Sequence, residues 1–563
     1  MSKGLIATAM ARLGRKPPKP EEVAPEEAAP AEAEAPPRVR TDLEIAAAAF
    51  DEAFYRKTYP DVEEHGVDPL EHFMTYGWQE GRDPTADFSV RAYLARYPDV
   101  EHSGVNPFVH YLTTGRLNPW PAESSLGFRH EVIAHLAPLA DRVAAIAADH
   151  VEAEAPVALA HAFGDSRDDL QRLHITFSHD DFTANVGGLQ QAIQREGARL
   201  AELGRDHLHL HPARAWPVVR TDADPSPLGV VWNGRALGFF AAADIAAVLA
   251  VVGPGAARSF AIHSLLGHTA RETIAILEAA GLRAGAFWLH DFASVCAGFH
   301  LLRNDVQDCG APPPDSAACG ICMYGPWRAR HADEHAVLFA ALELTVVAPA
   351  QVTLDHWRAS TDLPARATAV LPHAWLEPRG PAPLAAEPRP LRVAFAGFPT
   401  AHKGWPLFQA LANHYVGDPR YDFLHLGMRQ TTTAAARFQA VAVTPATPRA
   451  MRDALEAAEV DVVLAWSICR ETFSYVAYEA AAAGAAVITG PDSGNVAAFV
   501  DETGHGWVLP DEAALWAAFE TGEALQLARV HRRPMLYDLD FSALTLDLRP
   551  NDVAGDLTGE REP

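Results

Sequence analysis

The amino-acid sequence predicts an α/β protein in which two successive parallel-sheet domains follow a small all-α repeat module. Three observations support this. Short apolar runs alternate with helical stretches in two series, a proline-rich joint separates the series, and a 38-residue unit is repeated near the N-terminus. A chain of 563 residues is also too long for one ordinary core, which agrees with several domains.

Composition and charge exclude several classes of protein. Hydrophobic residues make up 49% and charged residues 21%, a balance typical of globular proteins. The net charge of −26, with no long basic stripe, argues against nucleic acid as the main partner. No apolar run reaches about 18 residues, and no apolar block at the N-terminus ends in a small-residue cleavage site. We therefore expect a cytoplasmic protein.

Residues 1–41 are predicted to form a disordered tail. A basic stretch is followed by EEVAPEEAAPAEAEAPP, a composition that cannot bury enough apolar surface to become ordered. The alternative is that MSKGLIATAMAR forms a weak amphipathic helix on an anionic membrane. That alternative leaves peripheral contact with the inner face of the membrane open.

The repeat occupies residues 42–120. FDEAFYRKTYPDVEEHGVDPLEHFMTYG (50–77) recurs as FSVRAYLARYPDVEHSGVNPFVHYLTTG (88–115). Each unit is predicted to contain two short helices joined by Tyr-Pro-Asp-Val, where proline ends one helix and aspartate caps the next. The aromatic residues are interpreted as core. An adaptor role for the module is considered, but no charged or catalytic cluster supports it.

A helical connector (121–170) leads to the first α/β domain, predicted to span 171–388. Its strands are assigned to LHITFSH (173–179), GVVWN (229–233), SFAIHS (259–264), AGAFWLHD (284–291) and LTVVAPA (344–350). EPRGPAPLAAEPRP (377–390) is interpreted as the joint between the domains.

The second α/β domain is predicted to span 389–525, and 526–563 is interpreted as a C-terminal tail. Its strands are assigned to LRVAFAG (391–397), YDFLHLG (421–427), VDVVLAW (460–466) and AAVITG (485–490). Two such domains predict a ligand cleft outside the carboxyl ends of their strands.

Two glutamates in RETFSYVAYEAAAAGAAVITGPDSG (470–494) are the strongest chemical signal. Glu471 follows a strand, and Ser474 is placed to cap a helix of about residues 475–483 that ends before Gly484. Glu479 lies within that alanine-rich helix, where a carboxylate needs a partner. The alternative interpretation is two exposed glutamates.

This stretch resembles the Glu-x7-Glu motif of retaining GT-B glycosyltransferases of family 4. The resemblance extends to AGFPTAHKGWPLFQAL, to FVDETGHGWVLPDEAAL (499–515) and to NVGGLQQAIQREGARLAELG, and it covers about residues 171 to 525. It implies two Rossmann-like domains that face a cleft, the first binding an acceptor and the second a nucleotide-sugar donor. The implied acceptor is a glycan, a lipid-linked saccharide or a protein, and the chemistry needs no cofactor.

The resemblance also implies the role of each site residue. Lys403 contacts the donor diphosphate, Glu471 binds sugar hydroxyls, and Glu479 binds the ribose. The implied catalytic residues are Glu471, His290 and Lys403. The implied donor-binding residues are Gly187, Gly188, Gly397, Lys403, Glu471, Thr472, Phe473, Ser474, Tyr475, Val476 and Glu479.

Two other functions remain open at this stage. Ser474 stands where the family has glycine, and Ser493-Gly494-Asn495 lacks the family's following glutamate. A non-catalytic GT-B-like protein that binds nucleotide sugars or glycans is one alternative. A GT-B nucleotide-sugar epimerase is the other.

Histidines follow several predicted strands. His290 comes at the end of the strand in FWLHDF, where the resemblance implies a histidine that approaches the donor sugar. The alternative is a core histidine paired with Asp291. His179 and His263 follow other strands and are weaker candidates for the cleft.

Four cysteines cluster after His290. Cys296, Cys309, Cys319 and Cys322 have the spacing C-x12-C-x9-C-x2-C. Four clustered thiols in a cytoplasmic chain favour structural zinc over disulfides. Free thiols and redox pairing remain open as alternatives.

Overall fold

The structure is a computed structural model. It describes residues 41–86, 88–114, 127–252, 257–383, 388–430 and 434–548. The predictions for residues 1–40 and 549–563 lie outside this range. Within it, none of the helices has the length and apolar character needed to cross a membrane.

The described part of the N-terminal module contains seven short α-helices. They are α1 Asp42–Ala47, α2 Glu52–Thr58, α3 Pro60–Glu64, α4 Pro69–His72, α5 Val90–Arg96, α6 Pro98–Ser103 and α7 Pro107–Thr114. Helix α4 continues into a π-helical turn at Phe73–Gly77. Each repeat unit therefore contains three helices rather than the predicted two.

The two repeat units have the same internal contacts. The Tyr55 hydroxyl lies 3.0 Å from His72 Nδ1, and the equivalent Tyr93 and His110 atoms are also 3.0 Å apart. The repeated aromatics form one buried core, as predicted. The predicted cap is wrong, because Asp61 lies inside α3 behind Pro60 and the capping oxygen belongs to Asp68 at the start of α4.

From residue 127 onward, the connector to the first α/β domain contains three helices, α8 Arg129–Ala134, α9 Leu139–Ala148 and α10 Pro156–Phe163. The strands of that domain are β1 Leu173–Phe177, β2 Asp206–Pro212, β3 Leu228–Trp232, β4 Arg235–Phe240, β5 Ser259–Ile262, β6 Ala284–Trp288, β7 Leu302–Arg303, β8 Gln307–Asp308, β9 Glu343–Ala348 and β10 Ala367–Val370. Its helices are α11 Gly188–Glu202, α12 Ala242–Val252, α13 Ala270–Ala279, α14 Ala317–Gly320, α15 Arg328–Ala341 and α16 Gln351–Ser360.

The main sheet of the first domain has eight strands in the order β10-β9-β6-β5-β1-β2-β3-β4. Strands β3 and β4 add to one edge by antiparallel pairing, and the other neighbours are parallel. The central strand β1 is buried along its whole length, and β5 is buried from Phe260 to Ile262. Strands β7 and β8 form a separate hairpin within the cysteine-bearing segment.

The second domain contains β11 Ala374–Pro381, β12 Leu391–Ala396, β13 Tyr421–Gly427, β14 Arg437–Ala440, β15 Val462–Leu464, β16 Ala486–Thr489, β17 Gly506–Val508 and β18 Met535–Phe541. Its helices are α17 Trp405–His414, α18 Ala450–Ala457, α19 Tyr475–Ala482, α20 Asn495–Thr503 and α21 Glu512–Glu520. Six strands form a parallel sheet in the order β14-β13-β12-β15-β16-β17. Numbered within the sheet, this order is 3-2-1-4-5-6, that of a Rossmann fold.

The predicted joint and the predicted C-terminal tail pair with each other. Strand β11 includes part of the proline-rich joint, and it pairs antiparallel with β18 from the segment interpreted as a tail. Proline is tolerated because this is a two-stranded ribbon, where one side of each strand needs no ladder partner. Beyond β18, Leu544 packs into the first domain against Ala192 and Trp288. The described part of 526–563 is therefore structured and crosses between the domains.

The predicted fold class is confirmed. Two Rossmann-like α/β domains follow an all-α repeat module, and the carboxyl ends of their central strands face one cleft.

Candidate functional site

A cavity of about 470 Å³ lies between the two domains. Its walls come from the segment after β1 in the first sheet and from the segments after β12 and β15 in the second. These are the strands at which the strand order reverses, where α/β sheets bind ligands. Of the residues predicted to bind the donor, ten line the cavity: Gly187, Gly188, Gly397, Lys403, Glu471, Phe473, Ser474, Tyr475, Val476 and Glu479.

Lys403 and Glu471 form an ion pair in this cavity. Lys403 Nζ lies 2.5 Å from Glu471 Oε1, and the Ser467 hydroxyl donates to the same oxygen at 2.5 Å. Burial alone would lower the pKa of Lys403, but the adjacent Glu471 carboxylate outweighs it and the pKa is raised. Lys403 is therefore a cation at neutral pH. Its side chain is 44% exposed and that of Glu471 is 9% exposed, so the ammonium faces the open cavity.

The backbone of Glu471 is fixed by the Ser493-Gly494-Asn495 turn. Glu471 N–H donates to Ser493 O at 3.3 Å, and Asn495 N–H donates to Glu471 O at 2.8 Å. Gly494 has φ +60°, and a Cβ there would lie 2.7 Å from the Glu471 carbonyl oxygen. Only glycine suits both this conformation and this close approach. The glycine of the sequence motif thus holds the loop that presents Glu471.

Glu479 lies on α19 with its carboxyl group facing the cavity. It is 6% exposed, and among the described residues no hydrogen bond to its carboxyl group is found. Burial raises the pKa of this carboxyl to about 8, although Arg195 acts in the opposite direction. A buried acid without a partner is therefore protonated at neutral pH.

The N-terminus of α19 points into the same cavity through Ser474, Tyr475 and Val476. Ser474 occupies the predicted N-cap position, but its side chain makes no capping hydrogen bond. The free N–H groups and the positive end of the helix dipole suit an anionic ligand. The helix ends as predicted, with Gly484 at φ +78° after the C-cap residue.

Two predicted residues lie outside the cavity wall. Thr472 is buried between the domains, where its hydroxyl donates to His290 O at 2.8 Å and its own carbonyl accepts from Thr353 at 3.1 Å. The His290 ring is half-buried and stacks at 5.0 Å on His373, which in turn contacts Phe473 of the cavity wall. His290 thus lies one layer behind the cavity. His179 is half-buried, 3.8 Å from Asp180.

Sequence reasoning missed three residues at this site. The Ser467 hydroxyl donates a hydrogen bond to Glu471. Arg195 donates to the Tyr475 hydroxyl at 3.0 Å across the domain boundary. Glu196 is completely buried beside His263. Arg195 and Glu196 belong to the amphipathic helix α11, and charged residues in such a helix are expected on its exposed face. Glu196 could have been recognised from its position on the apolar face of α11, where a glutamate is unusual.

The four clustered cysteines line one small cavity of about 20 Å³, together with Tyr324 and Arg328. Arg328 Nη1 lies 3.3 Å from Cys319 Sγ. As placed, the side chains in the described part of the chain contain no group of three or more His, Cys, Asp or Glu that could hold a metal ion. The segment also reaches the second domain, because Asp308, beside Cys309, pairs with Arg470 at 2.8 and 2.9 Å.

Comparison with known proteins adds limited information. No family model matches the chain, and no curated protein matches it. Among solved structures, the chain is similar to sucrose-phosphate synthase from Thermosynechococcus elongatus, with 15% identity, 64% of this chain and 92% of that chain covered, and a TM-score of 0.39. HepE of Anabaena in complex with UDP-glucose shows 12% identity, and the match covers 64% of this chain and 92% of that chain, with a TM-score of 0.36. The catalytic domain of starch synthase IV from Arabidopsis thaliana, bound to ADP and acarbose, shows 13% identity. The match covers 64% of this chain and 95% of that chain, with a TM-score of 0.32. Similarity at this level does not establish what the chain does.

Proposed function

We propose that this chain is a retaining GT-B glycosyltransferase of the family 4 type. It transfers a sugar from a nucleotide-sugar donor to a glycan, a lipid-linked saccharide or a protein. The observation that carries this proposal is the convergence of Lys403, Glu471, Glu479 and the N-terminus of α19 on one cavity between the two sheets.

Each part of a nucleotide sugar has a matching group in the cavity. The diphosphate is matched by the Lys403 ammonium and by the N–H groups at the start of α19. Sugar hydroxyls are matched by Glu471, whose second carboxylate oxygen has no hydrogen-bond partner among the described residues. The ribose diol is matched by the unpartnered carboxyl of Glu479.

These groups suit the chemistry of transfer. The bond between the anomeric carbon and the phosphate oxygen breaks, and negative charge develops on the departing nucleoside diphosphate. Lys403 and the helix dipole are already oriented to stabilise that charge, which is the main catalytic task. The acceptor hydroxyl forms the new bond on the same face of the sugar, and its proton passes to the departing phosphate oxygen. No metal ion is needed for these steps.

The test is to measure nucleoside diphosphate release and acceptor glycosylation with a panel of nucleotide sugars. The wild type and Glu471→Gln are compared, because this substitution keeps the shape and removes the charge. We expect a loss of rate on the order of 10²- to 10³-fold. The matched control is Glu502→Gln on α20, which is exposed and lies outside the cavity wall.

The outcomes separate the alternatives. Binding of a nucleotide sugar without turnover in either protein identifies a binding protein. Conversion of the donor sugar without use of an acceptor identifies an epimerase. Equal turnover in the wild type and in Glu471→Gln contradicts the proposed role of Glu471.

We further propose that the cysteine-bearing segment binds structural zinc. Its support is the C-x2-C pair and the cavity that all four thiols share. Metal analysis of the purified full-length chain should find about one zinc ion per chain, reduced by the Cys319→Ser, Cys322→Ser double variant. Cys469→Ser, remote from that cavity, should keep the metal. Absence of zinc, together with no thiolate absorption after Co²⁺ is added, contradicts the proposal.

A further inference from the structure

Two further cavities continue from the interdomain cavity toward the repeat module. His402 lines both the interdomain cavity and a neighbouring cavity of about 300 Å³, the inner cavity. Val132 and Ala401 line the inner cavity and also a third one of about 310 Å³, the outer cavity. Because neighbouring cavities share wall residues, the inner and outer cavities form one path, the side groove, that leads away from the interdomain cavity.

The side groove meets the interdomain cavity beside the groups matched to the donor sugar. His402 directly precedes Lys403, whose ammonium pairs with Glu471. The His402 carbonyl accepts the Ile468 N–H at 2.9 Å, and its ring stacks on that of His300 at 4.7 Å. A molecule in the side groove would therefore reach the sugar end of a bound nucleotide sugar, which is where an acceptor has to lie.

The outer cavity is built largely by parts of the chain that the family resemblance does not cover. That resemblance covers about residues 171 to 525. The repeat module contributes Asp83 and Arg91, and helix α8 of the connector contributes Val132. The second domain supplies the facing wall through Trp405. The outer half of the side groove is therefore a feature that this chain adds to its two α/β domains.

The module and the connector are held against the two domains. Arg129 on α8 pairs with Glu512 on α21 at 2.6 Å and donates to Val306 O at 3.1 Å. Burial lowers the pKa of Lys57 on α2, and the Asp422 carboxylate of the second domain opposes this effect, so α2 lies close to that domain. The walls of the outer cavity are thus positioned before any ligand binds.

Asp83 is a buried polar group in the outer cavity. Its side chain is 7% exposed, and its Oδ1 accepts the Val90 N–H at 2.8 Å. No hydrogen bond to its Oδ2 is found among the described residues. Burial raises the pKa of this carboxyl to about 7, although the Val90 N–H acts in the opposite direction. Near neutral pH, Asp83 can therefore donate to or accept from an uncharged hydroxyl, which would relieve its desolvation.

The remaining wall residues suit a saccharide. A sugar ring carries hydroxyls at its edge and C–H groups on its faces, so hydrogen-bonding side chains and aromatic rings bind it together. The side groove has aromatic side chains along its length, namely Phe299, Tyr324 and Trp405. Arg142 and Asp305 line the inner cavity, so charges of both signs face the path. This mixture favours an uncharged chain over a strongly charged polymer.

We propose that the side groove binds a saccharide chain of several units, and that the repeat module and the connector hold the part of this acceptor that lies away from the reacting end. This inference rests on the proposed glycosyl transfer, and it selects a glycan from among the acceptors considered. A single sugar would fill only part of a path made of two cavities of about 300 and 310 Å³.

Val132→Trp is the discriminating variant. Val132 lies where the inner and outer cavities meet, so an indole at this position obstructs the passage between them. The matched control is Ile133→Trp, which adds the same side chain at the next position of α8. Ile133 is 39% exposed and lines neither cavity. Circular dichroism and thermal unfolding show whether both variants are folded.

The direct readout is binding to a printed array of defined saccharides, from single sugars to chains of about eight units. The wild type and Ile133→Trp should bind chains at least about 10-fold more tightly than single sugars, and Val132→Trp should lose most of this difference. In the transfer assay, kcat/KM should rise with acceptor length in the wild type and in Ile133→Trp, but not in Val132→Trp.

Asp83→Asn decides the matter if Val132→Trp does not fold. The amide oxygen still accepts the Val90 N–H, but the ionisable carboxyl is lost. At pH 8, where most of Asp83 is ionised, this variant should bind chains roughly 5-fold less tightly than the wild type, because hydrogen bonds to a charged group are stronger. Its binding of single sugars should be unchanged.

Array binding needs no turnover, so it tests the side groove even if the proposed transfer fails. A wild type that binds chains no better than single sugars overturns the inference, and so does equal binding of chains by folded Val132→Trp. Transfer at equal rates to short and long acceptors also overturns it, while leaving the glycosyltransferase proposal intact. Transfer to a peptide that is equally fast in Val132→Trp and the wild type has the same consequence.

Discussion

Two buried glutamates, one in each domain, differ in what surrounds them. Glu196 is enclosed by His263, His174 and the Thr545 N–H, and its pKa is held well below the ordinary value. Glu479 is almost as buried, but it has no hydrogen-bond partner among the described residues and its pKa is raised to about 8. The same side chain at similar burial is charged in one place and neutral in the other.

The difference indicates what each glutamate is for. A carboxylate with all its partners inside the protein stabilises the structure and orients its neighbours. A buried carboxyl without partners, facing a cavity, carries a desolvation cost that a ligand can relieve. Glu196 therefore belongs to the scaffold of the site, and Glu479 to its ligand-binding surface.

The largest expected difference is in stability. Glu196→Ala leaves His263 without its partner and should lower the free energy of unfolding by about 3–5 kcal/mol. Glu479→Ala removes a group that makes no hydrogen bond with the described residues, and at pH 5, where its ionisation in the folded state costs little, it should change this free energy by less than about 1 kcal/mol. Urea unfolding of the two variants beside the wild type measures this. Equal losses would show that the two environments do not differ as described.

The pH dependence of stability also distinguishes the neutral Glu479 from the ionised Glu196. Because the folded-state pKa of Glu479 is raised, its contribution to stability is fully present below its ordinary value of 4.5 and is lost as pH rises to about 8. Across that window the wild type should lose stability relative to Glu479→Gln by up to about 1 kcal/mol per pH unit. Thermal unfolding of both proteins from pH 5 to 9 tests this, and parallel curves would contradict it.

The smallest effect concerns the C-terminal segment that completes the Glu196 cluster. Thr545→Val removes the hydroxyl that accepts from Trp288 and should cost about 1–2 kcal/mol of stability. Nucleotide affinity should be unchanged, because Thr545 does not line the cavity. Thr521→Val, an exposed position at the end of α21, is the control. A loss no larger than the control's would indicate that this segment contributes little to the cluster.

Much of the fold could be predicted from the sequence. The central strands of both sheets are largely buried, so LHITF and LRVAFA are rich in apolar and β-branched residues. Strands β11 and β18 could not be recognised, since their pairing joins residues far apart in sequence and one of them is rich in proline. Pairing of that kind leaves no local pattern.

In the candidate site, too, residues within local motifs could be predicted from the sequence, and residues defined by distant contacts could not. Glu471, Glu479 and Lys403 could be predicted because they lie in short contiguous segments that resemble the motifs of a known family. Glu196 was missed because its partners His263 and Thr545 come from two distant segments. The position of His290 behind the cavity wall likewise depends on His373, which no local motif connects to it.

The most direct test of the proposed donor site is the number of protons released when a nucleoside diphosphate binds at pH 7. With a pKa of about 8, roughly nine-tenths of Glu479 is protonated before binding, and hydrogen bonds from a ribose diol favour the carboxylate. Calorimetric titration in buffers of different ionisation enthalpy should show that the wild type releases about 0.9 proton more than Glu479→Gln. Equal proton release by two proteins that both bind, or no binding by either, would contradict the assignment of this cavity to a nucleotide-sugar donor.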